Sequence, residues 1–399
     1  MNVSKEGIAL PRQQAFQADT VLALTAGHLV HDTFASFLAP LLPLIIERLG
    51  LSMTLAGSLA AIQSLPSLIN PFLGLLADRV SLRWFAILAP TITASAMSLI
   101  GIAPSYGVIV LLLLLAGFSS ATWHVPTPVV IARASGRHVG RGMSVFMLGG
   151  ELSRFSGPLL AVSAVTWWGL GGPVRLIPLG VLVSVLIYWR LQDVVARPIH
   201  RADDSWLAAW RDVRWVMGPV AGISLARAAM AACLGTFLPI FLSQQGATLW
   251  QAGSGLSVIG LAAALGALVG GALSDRIGRR KVVGFVLLAA PLLMLLFLSV
   301  KGWVIYPVLL LMGFIFMSTG PVLLALVQDN GNGHPATANG LYMALQFMGQ
   351  SLVVILVGVI ADRWGLPAAF RLSGFMPLLG LPFLLMLRRP RPVNLSGKE

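Results

Sequence analysis

Residues 271–281 read GALSDRIGRRK, and residues 74–83 read GLLADRVSLR. Each places a glycine four positions ahead of an Asp-Arg pair, and each ends on basic residues. The two copies start 197 residues apart in a chain of 399. Other matches fall at nearly the same interval. Phe37-Leu38 answers Phe237-Leu238 at 200, Gly117-Phe118 answers Gly313-Phe314 at 196, and Arg141-Gly142-Met143 answers Asn339-Gly340-Leu341 at 198. Incidental likeness between apolar runs does not make offsets converge this way. The chain is a duplication.

The duplicated unit is built for a membrane. The chain is 57% hydrophobic and 10% charged, with a mean hydropathy of +0.86, whereas soluble domains carry about 25% charged residues. Apolar stretches near the roughly 20-residue span length predict twelve helices, near 20–47, 53–77, 84–103, 106–132, 141–166, 173–190, 215–243, 250–274, 282–300, 303–327, 338–361 and 368–388. The expected fold is therefore all-α, with twelve transmembrane helices in two pseudo-symmetric six-helix bundles. The expected division is a first bundle over 1–190, a cytoplasmic linker over 191–214 and a second bundle over 215–399. In the linker, Trp206 and Trp210 at helical spacing, with Arg211 and Arg214, fit either a short helix at headgroup level or a solvated linker with interfacial anchors. The polar start, Met1 to Thr20, lacks a signal-peptide pattern, so the first helix is expected to insert directly.

A net charge of +13 raises the question of nucleic acid, but its distribution answers it. With both termini cytoplasmic, twenty Lys/Arg lie on that side, five on the other and two within helices. Such a bias is the positive-inside pattern of a multi-pass membrane protein, here of bacterial inner-membrane type. It needs no nucleic-acid partner. The single cysteine, Cys233, excludes an intramolecular disulfide.

The repeated loop carries a resemblance to the major facilitator superfamily over nearly the full chain. The second copy matches the family pattern through Gly271, Asp275, Arg276, Gly278, Arg279 and Arg280; the first keeps Gly74, Asp78, Arg79 and Arg83 but has Ser81 where glycine is usual. The resemblance implies a conformational latch, in which the Asp neutralises positive charge at a neighbouring helix end. Three further segments resemble the fosmidomycin-resistance group of proton-driven drug exporters. They are GHLVHDTFASFLAPLLPLI (27–45), WHVPTP (123–128) and GRHVGRGMSVFMLGGELSRFSGP (136–158). The chain departs from that group at Thr127, and at Glu151 and Arg154 in the fifth helix, so the group's phosphonate substrate does not carry over.

Seven ionisable residues lie inside otherwise apolar spans: His28, His31, Asp32, His124, Glu151, Arg154 and Arg227. Each costs roughly 2.5–3.5 kcal/mol near a bilayer centre on insertion scales, so such residues face a cavity, pair and carry function. His28, His31 and Asp32 share one stripe of the first helix. Asp32 lies about 18 Å along it, near the midplane. A carboxylate beside imidazoles titrates as a coupled set, which makes Asp32, His28, His31 and Glu151 the expected proton-coupling residues. The alternative is a neutral His–Asp hydrogen bond that only joins helices. Glu151 and Arg154 at i, i+3 can neutralise each other, as a switch or as a fixed pair. Arg227 has no acid in its own segment, so either Asp32 or Glu151, or an anionic substrate group, is its expected partner. His124 and Arg154, with Gln63, Gln346, Gln350 and Tyr342, complete the candidate substrate-binding set; for the glutamines and Tyr342 the alternative is interhelical hydrogen bonding. A metal site at His28, His31 and Asp32 is disfavoured, because no thiolate or further histidine stands at metal spacing.

These readings predict a proton-coupled secondary transporter, not an enzyme. It would act as a monomer with no cofactor beyond the proton gradient, exporting a small amphipathic or anionic compound by alternating access. Proton-linked uptake of an organic anion is the rival, and a non-transporting sensor or lipid-handling protein the third reading.

Overall fold

The computed structural model describes residues 16–70, 72–73, 83–192, 206–329 and 335–387, with backbone alone at 206–209, 212 and 335–339. Twelve helical passes follow one another. They are α1 (Ala18–Leu49), α2 (Met53–Ile69), α3 (Arg83–Leu99), α4 (Tyr106–Ala134), α5 (Val139–Trp168), α6 (Gly172–Arg190), α7 (Val213–Gln244), α8 (Leu249–Ile277), α9 (Arg279–Ser299), α10 (Gly302–Gln328), α11 (Pro335–Trp364) and α12 (Leu366–Met386). Among the described residues no strand occurs, and nine passes are long and apolar enough to cross a membrane. The chain is a multi-pass membrane protein of two pseudo-symmetric six-helix bundles.

Local chemistry sets the starts and breaks. Ser105 caps α4 by accepting from Val108, and Thr248 with Gln251 forms a capping box on α8. The α1 pass loses helical regularity at Ser36–Phe37, and Gln63 Nε2 donates to the Ala35 carbonyl there at 2.7 Å. Its repeat partner, α7, has a π-helical turn over Cys233–Phe237. Phe37 and Phe237, aligned by the repeat, both pack fully buried at these irregular turns. The duplication also shows in a hydrogen bond: Tyr106 of α4 meets Ser58 of α2 at 2.7 Å, as Tyr306 of α10 meets Ser254 of α8 at 3.0 Å.

Trp206 and Trp210, which in sequence fit either a short headgroup-level helix or a solvated linker, belong to no separate element. Helix runs unbroken from Trp206 to Ala232, so these residues extend α7. Residues 193–205 of the expected linker lie outside the described residues, as do Gly74, Asp78 and Arg79 of the first latch copy.

The start of α1 meets the end of α4 (Gln17 N–H to Ala134 O, 2.8 Å) and the end of α6 (Asp19 to Arg190, 2.7 Å). We call this end the terminal face and the opposite one the far face. Towards the far face the bundles share one core, with Phe34, Phe37 and Leu41 packed in the same cluster as Phe237, Phe241 and Phe370. Towards the terminal face the core divides. Trp123, Phe146 and Ile187 form a cluster of the first bundle alone, and Val213, Met217 and Tyr342 one of the second. Glycines allow the far-face closure: a Cβ on Gly57 would stand 2.6 Å from the Val354 carbonyl, and one on Gly358 2.5 Å from that of Met53. Asp362 of α11 adds a polar clasp by accepting from the Met53 and Thr54 N–H groups of α2 at 2.6 and 2.8 Å. The bundles thus meet at the far face and part towards the terminal face.

Candidate functional site

Asp32 is the hub of the first bundle. Its carboxylate lies 3.2 Å from His28 Nε2, 2.8 Å from His31 Nδ1 and 3.5 Å from His124 Nε2. His28 comes one turn earlier on α1 and His31 is adjacent, while α4 brings His124 across. The candidate substrate residue His124 therefore belongs structurally with Asp32. Burial grades across the cluster: His31 is fully enclosed, whereas the Asp32 and His124 side chains keep 24% and 39% of their exposure. The hub therefore stays partly open at Asp32 and His124.

The second ring nitrogens fix the proton count. His28 Nδ1 donates to the Phe146 carbonyl at 2.9 Å, and His124 Nδ1 donates to the Ser120 carbonyl at 2.9 Å. A carbonyl can only accept, so His28 Nδ1 carries hydrogen, and so does His124 Nδ1 when it serves the Ser120 carbonyl rather than accepting from the Ser120 hydroxyl at 3.2 Å. When His28 or His124 also donates from Nε2 to Asp32, that ring holds two protons and is an imidazolium. When it loses one, a lone pair faces a carboxylate and the contact turns repulsive. The three imidazoles and one carboxylate thus form one connected hydrogen-bonding unit. The donor atoms of His28, Asp32 and His124 lie within 4.8 Å of one another, a spacing open to a cation as well as to protons.

Packing holds the rings. His28 stacks on Phe146 at 4.2 Å between centroids, and His31 stacks on Trp123 at 5.5 Å with planes 14° apart. Gly150 makes room for His28, since a Cβ there would stand 2.6 Å from the imidazole Cε1. Gly149 and Gly157 likewise let α5 lie on the α1 backbone. The glycine-rich run of α5 is the socket for the histidine. At the α4 break Pro126 lacks an N–H, and the Thr127 hydroxyl donates to the Trp123 carbonyl at 2.6 Å.

Glu151 and Arg154 form an open pair, 3.6 Å apart with 35% and 60% of their side chains exposed. Arg154 lies on the seam between bundles: a Cβ on Gly260 of α8 would be 2.5 Å from its carbonyl oxygen.

Arg227 corrects the expected clamp. Neither Asp32 nor Glu151 reaches it; the first is held by histidines and the second by Arg154. Arg227 Nη2 donates instead to the Phe316 carbonyl of α10 at 2.7 Å, and its guanidinium lies 4.5 Å from the centroid of the Phe316 ring. Tyr342 of α11 is buried beside it. Gln63 joins α2 to α1 as described above. Gln346 is half-buried and Gln350 exposed on α11.

In the second latch copy Gly278 adopts a φ of +99°, the turn between α8 and α9. Arg279 bridges Asp275 at 3.2 Å and Asp329, at the C-terminal end of α10, at 2.6 Å. Asp329 is a partner that sequence reading missed; only its place after an apolar helix marks it. Arg276 is exposed, Gly271 is half-buried on α8, and Arg280 Nη2 donates to the Leu385 carbonyl at 3.5 Å. From the first copy, Arg83 Nη1 donates to the Gln192 carbonyl at 3.0 Å.

The model of the Major Facilitator Superfamily matches residues 24–352. The chain is 25% identical over 367 residues to the fosmidomycin resistance protein of Escherichia coli K12, with 90% of each chain covered. It is 26% identical over 373 residues to an uncharacterized MFS-type transporter, YfnC, of Bacillus subtilis 168, again with 90% of each covered. In fold it is similar to a bacterial homolog of the human lysosomal transporter Spinster, solved inward-facing and unoccupied (TM-score 0.76, 13% identity, 93% of this chain and 95% of that one). It is also similar to the nucleoside transporter NupG (TM-score 0.75, 14% identity, 93% and 100%). With the duplicated bundle, the parted terminal face and this family match in place, the chain belongs to the Major Facilitator Superfamily and is a membrane transporter.

Proposed function

We propose that this transporter is a proton-coupled antiporter of a bacterial-type inner membrane that exports a small amphipathic or anionic compound by alternating access. The Asp32 cluster carries the reading: three imidazoles converge on one carboxylate, two of them oriented so that each hydrogen bond to Asp32 requires an added proton. With the basic loops and both termini cytoplasmic, the parted face opens to the cytoplasm. Proton loss there leaves the His124 lone pair facing the Asp32 carboxylate, whose repulsion loosens α1 from α4. Protons arriving from outside close the network again and favour substrate release outward. Glu151–Arg154 on the α5–α8 seam is the proposed second switch, and the Asp275–Arg279–Asp329 chain is the proposed latch.

Purified protein in liposomes, under an imposed pH gradient, tests this. Antiport drives substrate against the proton flow; movement with the proton would establish the rival, anion symport. Full gradient-driven transport by Asp32→Asn would overturn the coupling role.

A further inference from the structure

Arg227 is a cation without an anion. It is 7% exposed in the middle of α7. Phe316 supplies one carbonyl and a ring face, both without formal charge. Arg227 Nε has no partner, and neither do the buried Ser224 Oγ, three residues earlier on α7, or the buried Tyr342 OH of α11. Tyr342 sits beside both Ser224 and Arg227; its hydroxyl is close enough to interact with that of Ser224, but the two do not meet in full hydrogen-bond geometry. One guanidinium and two hydroxyls from two helices, all able to donate, therefore converge with one backbone carbonyl and no carboxylate among them.

The second bundle cannot supply one. No acidic residue occurs in 213–274, 276–328 or 330–361. The described acids around those stretches are engaged: Asp275 and Asp329 on Arg279, and Asp362 on α2. An unpaired buried guanidinium and unmet hydroxyls both cost free energy, which a bound acceptor would recover. Helix α10 is interrupted at Ser318, and Gly320, one turn from Phe316 towards the terminal face, has nothing within 4 Å of where a Cβ would stand.

We propose that Arg227, Ser224 and Tyr342 form the receptor for an oxyanion group of the transported compound. The guanidinium fork takes two oxygens of a carboxylate or phosphonate, and the hydroxyls donate to what remains. The proposal rests on the reading of the chain as a transporter and names the charge of its substrate. Phe316, stacked against the guanidinium, sets the fork, and the apolar remainder of the compound extends towards Gly320.

Equilibrium binding separates this proposal from proton coupling. Purified protein in detergent is titrated with phenylphosphonate, benzoate and neutral benzamide, and the shift of its melting temperature is followed. Both oxyanions should stabilise the wild type in a saturable way, and benzamide should not. Arg227→Gln should weaken oxyanion affinity at least about tenfold, Arg227→Lys should fall between, and Tyr342→Phe should cost about three- to tenfold. Oxyanion affinity is read at equilibrium with no pH gradient, so a failed coupling role at Asp32 leaves the comparison of wild type with Arg227→Gln intact, and loss of coupling and loss of this site have separate signatures. Benzamide matching the oxyanions, no oxyanion shift in the wild type, or undiminished affinity in Arg227→Gln would each overturn the proposal. If Arg227→Gln does not fold, Tyr342→Phe decides: unchanged affinity overturns the receptor.

Discussion

The two bundles place ionisable clusters at matching positions of the repeat and fill them with opposite chemistry. In the first, His28 of α1 faces α4 around Ser120–His124 and α5 around Phe146. Offsets of 196–200 carry these places to Arg227 on α7, Phe316 on α10 and Tyr342 on α11. The first cluster holds one carboxylate and three imidazoles, all able to exchange protons. The second holds a guanidinium that stays charged at any physiological pH and two hydroxyls. The duplication supplied two equivalent sockets, and divergence made one variable in charge and the other fixed. The proposed proton-coupled exchange would use this asymmetry: a site that can change charge during the cycle, and one that does not.

Four variants and one control press on the contrast, the largest effect first. Asp32→Asn removes the hub of the variable site and should lower gradient-driven flux by about 100-fold or more, a loss of roughly 2.7 kcal/mol in coupling. A flux assay at equal protein density checks it. His124→Gln leaves Asp32 and His28 but deletes one proton-holding ring. The number of protons counted per substrate should then fall, read as a shift in the substrate gradient that just balances a fixed pH gradient. An unchanged ratio would remove His124 from the variable set.

Gly150→Ala leaves every ionisable group in place and tests the socket alone. Its Cβ would stand 2.6 Å from the His28 ring, so the imidazole must move away. Overpacking of this kind costs about 1–3 kcal/mol, and flux should drop about tenfold with a lowered melting temperature. Gly340→Ala, with nothing within 4 Å of the new methyl, is the control and should be silent. The smallest effect belongs to Asp329→Asn, which frees Arg279 from the end of α10. Exposed ion pairs contribute about 0.2–1 kcal/mol, so the balance of open and closed forms should shift only about two- to fivefold. Spin-label distances across the terminal face would show it.

Residue types announced the variable site and concealed the fixed one. His28, His31 and Asp32 stood out because ionisable side chains within an apolar span are costly and helical spacing puts them on one stripe. His124 was visible as an ionisable residue beside two prolines, but its place on Asp32 required the crossing of α1 and α4. Arg227 was visible too, yet its neighbours were not, because a backbone carbonyl and a ring face leave no charge pattern to read. The expected Asp32–Arg227 clamp failed for the same reason: opposite charge on facing bundles suggested a pair, while three imidazoles already held the carboxylate. Gln63 showed two possible roles in sequence, and only the break at Ser36–Phe37 gave its amide a free carbonyl.

The sequence alone determined the membrane class, the helix count, the duplication and the list of ionisable residues. Hydropathy, charge and spacing along a chain are local quantities, and each of those conclusions follows from them. Tertiary structure alone decided which donors meet which acceptors, which glycine makes room for His28, and that Arg227 meets no carboxylate. Those depend on helix crossings and side-chain directions between segments that are often about ninety or more residues apart, where an ångström decides between a hydrogen bond and none.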